Sequence, residues 1–498
     1  MQDNLNQVDY SIIIIYFGFL VALGLYLKKK ASASLEDYFL GGRKLPWWAL
    51  GVSGMASFLD ITGTMVIVSF LYMLGPRGLF VELRGGVCIV LVFLMLWVGK
   101  WHRRSGCMTG AEWMVYRFGE GPGGQFARIV QSVAAIAGTV GMVAYLAKGV
   151  GLFLSTFIPL EPIYCTLILL AVATIYTMVS GFYGVVFTDL FQSGIILIAV
   201  LTISIMAFLK ITDVASFAGV AEQVTGSREW MSCYPQWKTT MPVGREYEPF
   251  KYLFLVGFFY LLRNIFGGMG DGFDPKYFGA RSDRECGKLT FLWTWLMMFR
   301  WPMMMGFAVL GIYLVNEHFP DMAVLVQASD LIKDNFVGID KARWADTLSS
   351  IRLHPDQHLE LAAGLQNILG ENWATKLNLL GFEGNINPEK ILPAVILFNI
   401  PQGFRGLIIV ALLAASMSTF DSTVNTTTGY FTRDLYQRYF RRQASNRELI
   451  YASWFFIVVL VGAGFALAYI TESINEIWDW LVMGLGGGLL IPGVIRLY

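Results

Sequence analysis

The sequence predicts an all-helical protein that crosses a membrane many times, and three observations carry that prediction. Of its 498 residues 55% are hydrophobic and only 15% charged, with a mean hydropathy of +0.55, whereas a typical soluble domain carries about 25% charged residues. Apolar windows of about 20 residues, the length that spans a hydrocarbon core, recur along the whole chain. The basic connectors between them, Lys28 to Lys44, Lys100 to Arg104, Lys276 to Lys288 and Arg433 to Arg447, all fall on one side when the windows alternate, as the cytoplasmic bias of Lys and Arg requires.

In chain order the windows lie near residues 10–28, 47–75, 80–99, 127–157, 161–180, 183–209, 249–270, 288–315, 392–430, 449–470 and 474–497. They make about eleven spans, with the amino terminus outside. The first window is followed by Lys28, Lys29 and Lys30 rather than by a small-residue cleavage site, so it reads as a retained helix and not a signal peptide. Two longer segments, 210–248 and 316–391, fall on the outer side. The second mixes amphipathic helical patterns with the turn GFEGNINPEK, which predicts a small folded cap.

The net charge of +1 leaves no basic face for nucleic acid. Five cysteines without paired spacing indicate neither a disulfide framework nor a thiolate metal site. His354 and His358 have Pro355 between them and no further ligands nearby, so they read as a surface pair. No nucleophile with a base and an orienting partner is visible, and an enzyme is not expected.

Residues 411–423, ALLAASMSTFDST, place hydroxyls and a carboxylate inside an apolar run. Ala415, Ser418, Thr419 and Ser422 stand at i, i+3, i+4 and i+7, so a helix puts them on one face. In lipid such a stripe must meet a partner helix, a cavity or an ion, and hard oxygen atoms suit a small cation. Hydroxyls of this kind also bond back to their own helix or join helices together. A second polar interruption, GMASFLDITGTM, has the composition of a broken helix. Unwinding there frees the carbonyls of Ala56 and Leu59 for a cation. Charged residues inside the spans are Asp60, Glu82, Arg84, Lys148, Asp189, Arg263 and Arg300. Asp189 has no basic neighbour in sequence and offers a formal charge that hydroxyls lack. The arginines either pair with Glu82, Asp60 or Asp271 or face an anionic solute.

The chain resembles the sodium/solute symporters, which carry sugars, proline, sialic acid, inositol, iodide or vitamins with sodium. The resemblance rests on DYFLGGRKLPWW (Asp37 to Trp48), GVSGMASFLDITG, TDLFQSG around Asp189, KYFGARSDREC, and AASMSTFDSTVNTTTGYFTRDLY (Ala414 to Tyr436). It implies a LeuT-like core of two inverted five-helix repeats around a midplane site. Residues 1–46 are then an extra helix and its cytoplasmic link, and 47–209 the first repeat. Residues 210–248 form an outer loop, 249–315 the first two helices of the second repeat, 316–391 an outer helical insertion, and 392–498 its last three helices. Relatives continue through further helices, so more are expected past Tyr498.

The resemblance implies a sodium site shared by the family at Ala56, Leu59, Ala415, Ser418 and Thr419. A second sodium, carried by some members, falls on Asp189, Ser418 and Ser422, with Asp421 standing where relatives have a small residue. Substrate positions fall on Asp60, Glu82, Arg84, Arg263 with its neighbour Asn264, and Arg300, with Phe266 at an inner aromatic gate. Arg263 replaces an asparagine that holds a sugar hydroxyl in relatives, and a guanidinium grips a carboxylate bidentately. Sodium-coupled import of a small organic anion such as a sialic acid or another sugar acid is therefore expected, in a cell membrane. A neutral sugar or polyol is the alternative substrate. A channel, or a sensor whose outer segment binds a partner, is the alternative class.

Overall fold

The computed structural model describes residues 5–31, 34–84, 87–239, 245–270 and 274–471, with 474, 477, 480, 481 and 494 beyond them. The only extended pairing among the described residues is an isolated bridge between Leu380 and Ile386. The long helices are α1 (Gln7–Ala31), α2 (Trp47–Ala56), α3 (Ile61–Leu74), α4 (Pro122–Leu154), α5 (Pro162–Lys210), α6 (Leu253–Gly270), α7 (Asp283–Met297), α8 (Arg300–His318), α9 (Arg405–Gly429) and α10 (Asn446–Ile470).

Among the described residues, 8 helical runs are long and apolar enough to cross a membrane, fewer than the sequence windows, for physical reasons. Helix α5 is 49 residues long and holds two windows, bent at Gly181 with φ 52° and ψ −158°. A Cβ there would stand 2.8 Å from the Tyr38 carbonyl oxygen, so only glycine combines this backbone with that approach. The 80–99 window is divided into Val87–Phe93, a π turn at Leu94–Val98, and Gly99–Arg104, and a π turn interrupts helical register. The 474–497 window lies largely outside the described residues. The 392–430 window is corrected: Ile391–Asn399 is a separate helix, and α9 begins only at Arg405.

Helices α2 and α3 form one span broken at Ser57 to Asp60. The break is built by capping. Asp60 is extended and its Oδ1 accepts the Gly63 N–H at 2.5 Å, while the Ile61 N–H reaches Ser416 Oγ on α9 at 2.8 Å. Two donors that a helix start leaves orphaned are thus closed, one of them across to the facing helix. Helix α7 presses on α2 at Gly54, where a Cβ would lie 2.4 Å from Cε3 of Trp293. Gly54→Ala is expected to destabilise the protein by about 1–3 kcal/mol through overpacking. Thermal melting in detergent checks this, and an unchanged midpoint would show that the ring can move aside.

Helix α1 docks on the bundle from outside through polar anchors. Asp9 is fully buried and accepts the N–H groups of Gly403 at 2.9 Å and Gly406 at 2.6 Å, at the start of α9. Deeper along α1, Tyr16 accepts a hydrogen bond from Gln192 Nε2 of α5 at 2.9 Å. At the other end of the bundle the foot of α4 is tied to the segment after α9. Arg128 Nε donates to Asp434 Oδ1 at 2.6 Å, Thr109 Oγ1 donates to Asp434 Oδ2 at 2.6 Å, and Arg433 Nε donates to Glu112 Oε1 at 2.6 Å. Between α8 and α9 the helices Ala323–Asn335, Lys341–Leu353 and Leu359–Leu369 form a small outer layer. Arg352 fixes it to the core by donating to the carbonyls of Ser155 and Thr156.

Candidate ion and solute site

The break between α2 and α3 faces the hydroxyl stripe of α9. Thr419 Oγ1 stands 2.8 Å from the Leu59 carbonyl oxygen, 3.1 Å from that of Ser57 and 3.2 Å from that of Ala415. One hydroxyl proton serves a single acceptor at a time, so lone pairs on these carbonyls remain available to a cation. The Ala56 carbonyl, one turn earlier, accepts the Leu59 N–H at 3.2 Å. Ser418 Oγ and Asp189 Oδ1 are both buried without a hydrogen bond of good geometry, although the two side chains lie close enough to interact. Buried oxygens are normally satisfied, and a small cation beside Ser418 and Thr419 would satisfy this group. The five residues expected to form the shared sodium site therefore lie together around the break.

The four residues expected at a second sodium divide into three directions. Asp189, on α5, is fully buried, and its Oδ2 accepts from Ser53 Oγ of α2 at 2.5 Å. Ser422 Oγ lies 2.7 Å from Ser57 Oγ. Asp421 turns the other way, accepting Tyr176 OH at 2.5 Å and Thr177 Oγ1 at 2.6 Å. Its position on α9, one residue before Ser422, sets it about 100° around the helix, toward the first half of α5. The structure thus brings Asp189 and Ser418 together and seats the Asp421 carboxylate on two hydroxyls of its own.

The expected solute residues are spread more widely. Arg300 is buried at the start of α8, with Nη1 3.4 Å from the Phe58 carbonyl oxygen in the break and its guanidinium 4.6 Å from the centre of the Trp301 ring. Asp60 caps α3 at the same break. Arg263 Nη1 lies 3.4 Å from Oδ1 of the buried Asn264 on α6. Phe266 is 47% exposed. Glu82 and Arg84 belong to the stretch Gly75–Arg84, and their side chains, like Asp271, lie outside the described residues.

Three polar residues at the site escape a reading by motif: Ser53, Ser57 and Lys276. Lys276 counts in the sequence as one of the basic connector residues, yet it is 1% exposed, with Nζ 3.2 Å from Ser57 Oγ and 3.4 Å from Asp274 Oδ2. Its signal in sequence is the run DPK immediately before the aromatic pair Tyr277 and Phe278. Asp274 starts the short helix Pro275–Phe278 and turns the lysine inward.

A bundle of membrane-length helices, one broken at mid-span, with carbonyls and hydroxyls converging at the break, defines a cation-coupled membrane carrier. The sodium:solute symporter family is the one to which this chain belongs, its family model matching residues 38–266 and 381–489. The chain is similar to the sodium/sialic acid symporter NanT of Aliivibrio fischeri (strain ATCC 700601 / ES114), 23% identical over 98% of this chain and 82% of that protein. It is similar to the sodium/glucose cotransporter of Vibrio parahaemolyticus, 23% identical over 100% of this chain and 81% of that protein. Sodium/glucose cotransporter 4 of Danio rerio is 24% identical over 96% of this chain, which spans 65% of that longer protein. A solved Na+-coupled sialic acid symporter, substrate-bound and outward-open, superposes with a TM-score of 0.68 at 19% identity, covering 98% of this chain and 87% of that one. That likeness bears out the LeuT-like helical fold. These relatives are sodium-coupled transporters and not enzymes, and sodium and a small solute are what the family carries.

Proposed function

We propose that this chain imports a small organic anion, a sialic acid or another sugar acid, with sodium bound at Ala56, Leu59, Ala415, Ser418 and Thr419. The observation that carries the substrate class is the buried Arg300 guanidinium at the helix break, beside the oxygen cluster. A guanidinium at this position can hold a solute carboxylate through two parallel hydrogen bonds. Sodium in the break stabilises the conformation open to the outside, the solute joins it at mid-span, and both leave on the other side. The orientation that fits the basic connectors places the amino terminus outside a cell membrane.

Uptake of labelled sialic acid into proteoliposomes under a sodium gradient tests this, with the solute's amide and a neutral hexose as competitors. The acid should compete better than its amide. Arg300→Gln is expected to weaken the acid by about 10- to 100-fold, the worth of a hydrogen bond to a charged group, and Arg263→Gln to do so if the α6 face also meets the solute. Equal competition by acid, amide and hexose would instead favour the neutral-sugar reading, for which the buried Asn264 amide is the better-suited ligand.

A further inference from the structure

Lys276 and Asp189 lie on either side of one turn of α2, which presents Ser53 to the carboxylate and Ser57 to the ammonium. Ser57 Oγ lies 2.7 Å from the Ser53 carbonyl oxygen, to which it donates. It is then left as acceptor for both Lys276 Nζ and Ser422 Oγ. Ser422, a residue expected at a second sodium, is thereby hydrogen-bonded to the oxygen that the ammonium already holds. The lysine's ion pair among the described residues is with Asp274. Beyond Ser57 it has Asp274 Oδ2 at 3.4 Å and the face of Trp293, with Nζ 5.8 Å from the ring centre. Asp189 Oδ2 is held by Ser53 four residues before Ser57, so the carboxylate and the ammonium sit on neighbouring hydroxyls of one helix.

We propose that Lys276 is the built-in counter-cation of the second ion position, so that its ammonium, and not a second sodium, compensates Asp189, and one sodium accompanies each solute. Charge decides between the two. Two unit charges roughly 6 Å apart at an effective dielectric constant of about 20 repel strongly enough to weaken a second sodium on the order of 100-fold. With the lysine in place, the charge of Asp189 is opposed and the Ser422 hydroxyl is engaged, so the second position attracts sodium less and has lost one of its ligands. The inference rests on the reading that Ser418 and Thr419 hold the first sodium.

The test is a count of sodium ions bound to the purified full-length chain in detergent, by equilibrium binding of radioactive sodium. One ion is expected for the wild type and one for Lys276→Arg, which keeps the charge. Two are expected for Lys276→Met, with the second lost again in Lys276→Met/Asp189→Asn. Two ions in the wild type overturn the proposal, and so does a Lys276→Met protein that binds one ion with unchanged affinity. Retention of the first ion shows that Lys276→Met is folded, and should it not fold, the wild-type count alone decides. Failure of the underlying reading is separately visible, because it leaves sodium binding intact in Thr419→Ala, whatever the count.

Discussion

Thr419→Val removes one oxygen and keeps the shape of the side chain, and it is expected to lower sodium affinity by about 10- to 100-fold while Thr419→Ser stays near the wild type. The reason is the position of Oγ1, within 3.2 Å of three carbonyl oxygens from two helices. A cation among those carbonyls loses its link to α9 when the hydroxyl is replaced by a methyl group. A hydrogen-bonded contact to a charged group is worth about 1.5–3 kcal/mol, which sets the expected range. Sodium-dependent thermal stabilisation is the readout, since a ligand at about 100 times its dissociation constant adds about 2.7 kcal/mol to the state it binds. The valine variant should lose most of that increment at the same sodium concentration. A serine variant as impaired as the valine would show that the methyl group, and so packing, matters more than the oxygen.

Asp434→Ala is expected to destabilise the protein by about 3–5 kcal/mol, because it leaves the buried Arg128 with only the longer contact to Glu112, at 3.9 Å. Asp434 is fully buried and Arg128 7% exposed, and the carboxylate also holds Thr109. Replacing both partners with apolar residues, Arg128→Met with Asp434→Leu, should recover much of the loss, since no uncompensated charge then remains. Melting of the four proteins of this double-mutant cycle measures the coupling. A double variant as unstable as the sum of the two singles would mean that the pair does not act as a unit.

The parts of the site that could be read from sequence are those where chemistry and periodicity coincide. The stripe Ala415, Ser418, Thr419, Ser422 needs only helical geometry to share a face. The break at Ala56 to Asp60 shows itself because a capping aspartate and small residues interrupt an apolar span. Lys276 is hidden from a count of basic residues, which assigns a short connector to water, and only the DPK run, where Asp274 sets a turn, marks it as different. The orientation of Asp421 was equally hidden. Its partners Tyr176 and Thr177 lie 245 and 244 residues away in the chain, and nothing local favours them over Asp189. In the fold, the Gly181 bend was visible as a gap between two windows. The separate helix Ile391–Asn399 was not, because it is as apolar as the span that follows it.

The Asp9 anchor bears on how the chain is assembled. Its N–H partners, Gly403 and Gly406, are 394 and 397 residues further along, so during synthesis the first helix is made long before the groups that will donate to its carboxylate. Until α9 enters the bilayer, that end of α1 has to stay at the wet boundary of the membrane, where water can solvate the carboxylate. Closure of the Asp9 contact is then a late event in biogenesis, and it registers that the helix carrying Thr419 has arrived.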